Sequence, residues 1–225
     1  EDFDELGAGF RIAMRDLEIR GAGNILGQEQ HGHLEAIGFD LYCRLLDEAV
    51  AELKGGGGVK AADVRVDLRL PAYLPDGYVT EPEQKMDLYR RLARLSDVAW
   101  VTRLAEEIQD RFGPLPPQVT NLLTAARIRI LAVRNGVEEV RAGRAGLSFF
   151  FAGGREPSPY IIHGLMGTGL KGLTFKAVDQ LEMKVPVARD EAAAAAFSVL
   201  DLVDRLRSEE NQTIEHTVAD NTRPD

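Results

Sequence analysis

The residues best suited to chemistry sit in a polar loop between two apolar, helix-period stretches at 10–19 and 37–53: Arg20, Asn24, Gln28, Glu29, Gln30, His31 and His33. A guanidinium presents a rigid fork of donors that suits carboxylate or phosphate. An amide both donates and accepts, so it can exchange partners as a loop moves. Arg20 and Gln30 are therefore the pair that side-chain chemistry singles out in this loop. The plainer alternative is that Arg20 caps the last carbonyls of the first helix and Gln30 is solvated. Joining two helices takes about 2–8 residues. This loop is longer and has glycine at 21, 23, 27 and 32, the composition of a moving functional loop.

Two carboxylate groups stand apart from it. Asp16 and Glu18 flank Leu17 near the end of the first helix, an unfavourable place for negative charge given the helix dipole. Neighbours so close in a helix point apart, which argues against paired acid/base work and for structural coupling to Arg15, Arg20 or an arginine elsewhere. The second group lies on a helix expected over 97–112, whose apolar stripe is Val101, Leu104, Ala105, Ile108 and Phe112. Opposite it are Arg103, Glu106, Glu107, Asp110 and Arg111. Glu107 and Asp110, three apart, share a face and can accept bonds from a partner's arginines. The alternative is a solvated face with an internal Arg103–Glu107 pair. Neither carboxylate is on the apolar stripe, so reversing both charges is expected to leave folding untouched.

Several chemistries are disfavoured. There is no Gly-x-x-x-x-Gly-Lys-Ser/Thr phosphate loop, and Gly21, Gly23 and Gly27 are one residue out of step with Gly-x-Gly-x-x-Gly. The spacing of His31, His33 and Cys43 fits no tetrahedral metal pattern. No cofactor or metal is expected on this chain. Its net charge of −9 opposes non-specific grip on DNA, which needs Lys and Arg against phosphates. The arginines at 90, 91 and 94 and at 127, 129 and 134 lack interleaved aromatic platforms and are expected on solvated faces. One cysteine allows no disulfide within the chain, and no apolar run nears the roughly 20 residues of a membrane span. A cytoplasmic protein without a membrane partner is expected. The start, Glu1-Asp2-Phe3, lacks Met and reads as a cut through a longer protein.

The elements that must position these residues follow from pattern. Gly55–Gly58 cannot hold a helix and makes a linker. Residues 64–70 alternate apolar and charged as a half-buried strand. Thr80-Glu-Pro-Glu83 reads as a capping box opening a helix to about 95, and Ser96 or Asp97 caps the next, stopped by Gly113-Pro114. Pro116-Pro117 starts a third, closed by Asn135-Gly136. Strands are expected at 137–141, 147–152, 173–177 and 181–187, with short helix 160–166 between them and a last helix at 192–207. Grouped helices and runs of short strands indicate α+β.

Asp16-Leu-Glu-Ile-Arg-Gly-Ala-Gly-Asn-Ile-Leu-Gly-Gln-Glu-Gln-His-Gly closely resembles the TRG motif, a helical hairpin plus loop after the second motor lobe of superfamily two DNA translocases. RecG-type branch-migration helicases and transcription-repair coupling factors share it. The continuation Ile37-Gly-Phe-Asp-Leu-Tyr-Cys-Arg-Leu-Leu-Asp-Glu-Ala-Val is more similar to the coupling factors. Further on, Leu70-Pro, Leu74-Pro-Asp, Tyr89-Arg-Arg-Leu-Ala and Asp110-Arg-Phe-Gly-Pro-Leu-Pro resemble their C-terminal domain.

The resemblance implies four regions. These are a TRG hairpin at 1–54, a Gly-rich linker at 55–62, a regulatory α+β domain with a mainly antiparallel sheet and several helices at 63–208, and a disordered tail at 209–225. It implies a bacterial parent that uses ATP and magnesium to move on double-stranded DNA, displaces stalled RNA polymerase and recruits excision repair. The motor's ATP site lies outside this chain. Arg20 and Gln30 match TRG positions that couple hydrolysis to movement. Glu107 and Asp110 match positions that contact the domain recruiting UvrA, the repair ATPase. The alternatives are a RecG-type helicase, whose chains end soon after the hairpin, and an interaction module with no motor, which leaves the hairpin unexplained.

Overall fold

The computed structural model describes residues 64–221 apart from 178, with side chains as far as residue 215. The hairpin expected at 1–54 and the linker at 55–62 lie outside the described residues. In chain order the elements are β1 (Arg65–Asp67), α1 (Pro82–Arg94), α2 (Val98–Phe112), α3 (Pro117–Asn135), β2 (Val137–Gly143), β3 (Gly146–Phe151), α4 (Pro159–Gly167), β4 (Thr174–Ala177), β5 (Leu181–Val185), a 3-10 turn (Arg189–Glu191) and α5 (Ala192–Asn221). The five strands form one sheet in the order β1-β2-β3-β5-β4. Only the β1–β2 pair is parallel. The α+β class with a mainly antiparallel sheet is what the sequence pattern indicates.

Local chemistry sets the helix ends. Pro82 holds the first position of α1 and keeps Glu81 extended, at φ −82° and ψ 117°. The helix therefore starts one residue later than a capping box on Thr80 requires, and no side chain caps it. Asp97 does cap α2: its Oδ1 accepts the Ala99 N–H at 2.7 Å. Gly113, at φ 92°, stops that helix ahead of Pro114. Gly136 ends α3 in the left-handed region at φ 70°, donating to the carbonyls of Ala132 and Val133. A Cβ there would stand 2.5 Å from Arg155 Cβ, so glycine is required twice over.

Two departures from pattern have simple causes. The strand expected over 64–70 pairs only at Arg65–Asp67, because Arg69 adopts φ 53° and turns the chain away from the ladder. The final helix does not stop at Arg207; it runs on to Asn221 through the stretch expected to be a disordered tail from 209. No Gly or Pro interrupts 208–221. Once the packed first half has nucleated the helix, each further residue adds a hydrogen bond at little cost.

Two apolar clusters share α3. Leu74, Val79, Leu88, Leu92, Val101, Leu104 and Ile108 pack with the Val119, Leu122 and Ala126 side of α3. Ile128, Leu131 and Ala132 belong to the other cluster, with Phe149, Phe151 and Met183 of the sheet and Ile161, Leu200 and Val203 of α4 and α5. Asn135 is the one buried polar residue among the described residues. Its Nδ2 donates to Leu131 O at 2.9 Å and Asp204 Oδ1 at 3.3 Å, and its Oδ1 accepts from Arg207 Nε at 3.3 Å. The core thus fixes α5 on α3 and fixes the roll of α2, which decides what α2 shows to solvent.

Candidate functional site

Val101, Leu104 and Ile108 are buried at 0%, 5% and 2% exposure and anchor α2 in the helical cluster. That leaves Trp100, Arg103, Glu106, Glu107, Asp110 and Arg111 outward or at the margin. Glu107 is half-buried, and Arg91 of α1 grips both its carboxylate oxygens, one at 2.7 Å. Arg111 adds a longer bond at 3.3 Å. The hydrogen bond from Arg91 is the main reason the Glu107 carboxyl is drawn down to about 2, with Arg111 adding to it. Glu107 is therefore a fixed negative charge at neutral pH, suited to accepting bonds and unsuited to donating a proton.

Asp110 differs. It is exposed, and among the described residues it has no ion pair. One turn beyond Glu107 on the same face, it offers two free carboxylate oxygens. Arg103 does not pair with Glu107; its guanidinium stacks 4.6 Å over the Trp100 ring. The other α1 and α3 arginines are partly employed inside the fold. Arg127 bonds Thr102 Oγ1 at 3.2 Å, and Arg134 bonds Ser96 O and Asp97 Oδ2 at 3.2 and 3.0 Å.

The fold behind this face contains Tyr89, whose hydroxyl accepts the Leu74 N–H at 2.9 Å, and Tyr78, whose hydroxyl donates to Gly113 O at 2.7 Å. Burial pushes the Tyr89 phenol up to about 12. Both bonds tie the segment before α1 to the helices, so the Leu74-Pro-Asp, Tyr89-Arg-Arg and Asp110-Arg-Phe-Gly stretches meet in one place.

A protein-family model, TRCF domain, matches residues 68–162. That stretch of the chain is similar to the TRCF domain. Over 142 residues, 63% of the chain, it is 42% identical to the Bacillus subtilis transcription-repair-coupling factor, covering 12% of that protein. The Staphylococcus aureus (strain USA300) relative of the same name is 41% identical over 143 residues, again 63% of this chain and 12% of the relative. The chain thus spans about an eighth of the length of these relatives. A crystal structure of the C-terminal domain of transcription-repair coupling factor shares the fold at TM-score 0.57 and 20% identity, covering 65% of this chain and 94% of that one.

The matched stretch takes in α1, α2, α3, β2 and β3, so the α2 face with Glu107 and Asp110 lies wholly within it. Arg20, Gln30, Asp16 and Glu18 lie outside the described residues. Sequence reasoning missed Arg91, which comes from another helix 16 residues away and leaves no local signal. It also passed over Trp100, although the spacing of three to Arg103 on a helix is a readable sign of contact. Among the described residues, no group of three His, Cys, Asp or Glu side chains stands close enough to hold a metal ion, and no helix is long and apolar enough to cross a membrane.

Proposed function

We propose that this chain is the coupling and regulatory end of an ATP-driven double-stranded DNA translocase that displaces stalled RNA polymerase and recruits nucleotide excision repair. The 42% identity to a transcription-repair-coupling factor over 142 residues carries the reading. In the parent, ATP and magnesium bind the motor outside this chain. Residues 1–54 supply the TRG hairpin, where Arg20 and Gln30 relay closure of the motor and Asp16 and Glu18 hold the hairpin's helix to its neighbours. The TRCF domain restrains the parent by docking α2 on the domain that recruits the UvrA-type repair ATPase. Asp110 is the free acceptor in that contact, and Glu107, already braced by Arg91, is a preorganised one.

The motor half of this reading is tested in the full-length parent with Arg20→Ala and Gln30→Ala. Residues that only transmit closure are dispensable for phosphate chemistry. ATP hydrolysis is expected to persist while displacement of stalled polymerase or of a triplex strand falls at least about tenfold, the effect of about 1.4 kcal/mol on the coupled step. Wild-type displacement by both variants would reduce Arg20 to a helix cap and Gln30 to a solvated amide.

A further inference from the structure

Among the described residues, no buried side chain belongs to both apolar clusters. The chain crosses from the sheet cluster to the helical one at Pro71: Leu70 packs against the first and Ala72 against the second. Residues 72–113 then run through α1 and α2 before α3 carries the chain back. This stretch closes on itself at its base. The Tyr78 hydroxyl donates to Gly113 O at 2.7 Å, pinning its start to its end, and Asn121 Nδ2 donates to Pro71 O at 2.9 Å, pinning the entry point to α3. Arg69 at φ 53° and Gly113 at φ 92° turn the chain at the two boundaries. Entry and exit thus both lie beside the first turns of α3.

The tip is the turn between α1 and α2. There Arg134 donates to Ser96 O and Asp97 Oδ2 at 3.2 and 3.0 Å, while its other amino group stands 3.6 Å from Asp204 of α5. Val98, at the same turn, packs partly buried against both clusters. The sheet cluster buries twenty apolar residues and the helical cluster twelve. Five of those twelve belong to α3, so 72–113 contributes seven and is the less firmly held unit. Ile128, Leu131 and Ala132 keep α3 anchored in the sheet cluster whether or not α1 and α2 are in place.

We propose that residues 72–113 are a flap, latched at its tip by Arg134, that opens from α3 as one unit while the sheet cluster and α3 stay folded. Helices α1 and α2 have 13 and 15 residues, lengths at which an isolated helix is marginal in water, so once off α3 they unravel. The face that α2 shows to solvent therefore exists only with the flap closed, and opening bares Val119, Leu122 and Ala126 of α3. A ligand that binds only the closed form holds the flap shut by mass action.

Amide hydrogen exchange of the 225-residue chain, resolved by residue and corrected for intrinsic rates, measures the opening. Amides within α1 and α2 are expected to share one opening equilibrium and to exchange at least about tenfold faster than the best protected amides of β2, β3 and the first half of α5. Val199→Ala, in the sheet cluster, separates a flap from a single cooperative unit. It destabilises the open and closed forms alike, so it should speed exchange in β2 and β3 about tenfold and leave α1 and α2 unchanged. Arg134→Gln should speed exchange in α1 and α2 about two- to fivefold, the reach of a half-exposed ion pair. Equal protection of α1, α2 and the sheet in the wild-type chain would overturn the flap, and so would acceleration of all three by one factor in Val199→Ala. If Arg134→Gln leaves exchange in α1 and α2 as it was, Arg134 is no latch.

Discussion

At the scale of single residues, the α2 face shows why charge pattern and charge role differ. Glu107 and Asp110 look equivalent in sequence, three apart on one polar face. The fold separates them by bringing Arg91 across from α1 to Glu107 and leaving Asp110 alone. Reversal of both charges is therefore expected to cost folding stability, where the apolar stripe alone suggests none: an arginine at 107 would face Arg91 and Arg111. The Glu107 carboxyl titrates near 2 in the fold against its ordinary 4.5, so its contribution is fully present above about 4.5 and is lost as pH falls toward 2. Because the side chain is 38% exposed, solvent screening holds that contribution to about 0.5–1 kcal/mol. Urea unfolding of wild type and Glu107→Gln is expected to differ by that amount at pH 7 and to converge by about pH 2. A constant gap across that range would show that packing, not charge, sets the effect. Arg91 was not legible beforehand because its partner is chosen by the packing of α1 on α2, which no spacing rule encodes.

Elements were the most legible level. Apolar periodicity located α1, α2, α3 and α4, and Pro and Gly fixed most of their ends, since those residues restrict the backbone regardless of tertiary context. Where the reading missed, tertiary context intervened: β1 is cut short by Arg69, and α5 outruns its apolar half because nothing in its sequence breaks it. The joint between α3 and β2 is the sharpest constraint. Gly136 needs φ 70°, and a Cβ there would meet Arg155 O at 2.7 Å as well as its Cβ. Arg155 in turn donates to the carbonyls of Val133 and Arg134 at 3.1 and 3.2 Å, closing the helix end. Gly136→Ala is expected to destabilise the domain by about 2–3 kcal/mol through backbone strain and collision. Gly153→Ala, with nothing within 4 Å of the added Cβ, is the control and should change stability by under about 0.5 kcal/mol. Equal urea midpoints for the two variants would mean the joint yields freely.

Across the whole molecule, two apolar clusters joined by one helix make α3 the part through which the sheet and the α1–α2 pair are held together. Arg134 reinforces it, bridging Asp97 at the start of α2 and Asp204 of α5 at 3.0 and 3.6 Å. The likeness to the TRCF domain was legible from short runs such as Asp110-Arg-Phe-Gly-Pro, whereas the exposed Trp100 on the same helix as Glu107 and Asp110 was passed over. In the function proposed here, α2 restrains the parent by docking through Asp110. It is tested most directly by measuring basal binding of the repair ATPase to the full-length parent with Asp110→Arg, a change that leaves the Arg91–Glu107 clamp intact. Loss of one charge-assisted contact of about 1.5–3 kcal/mol should raise that binding roughly tenfold or more. Unchanged binding by a variant that folds normally would contradict the account.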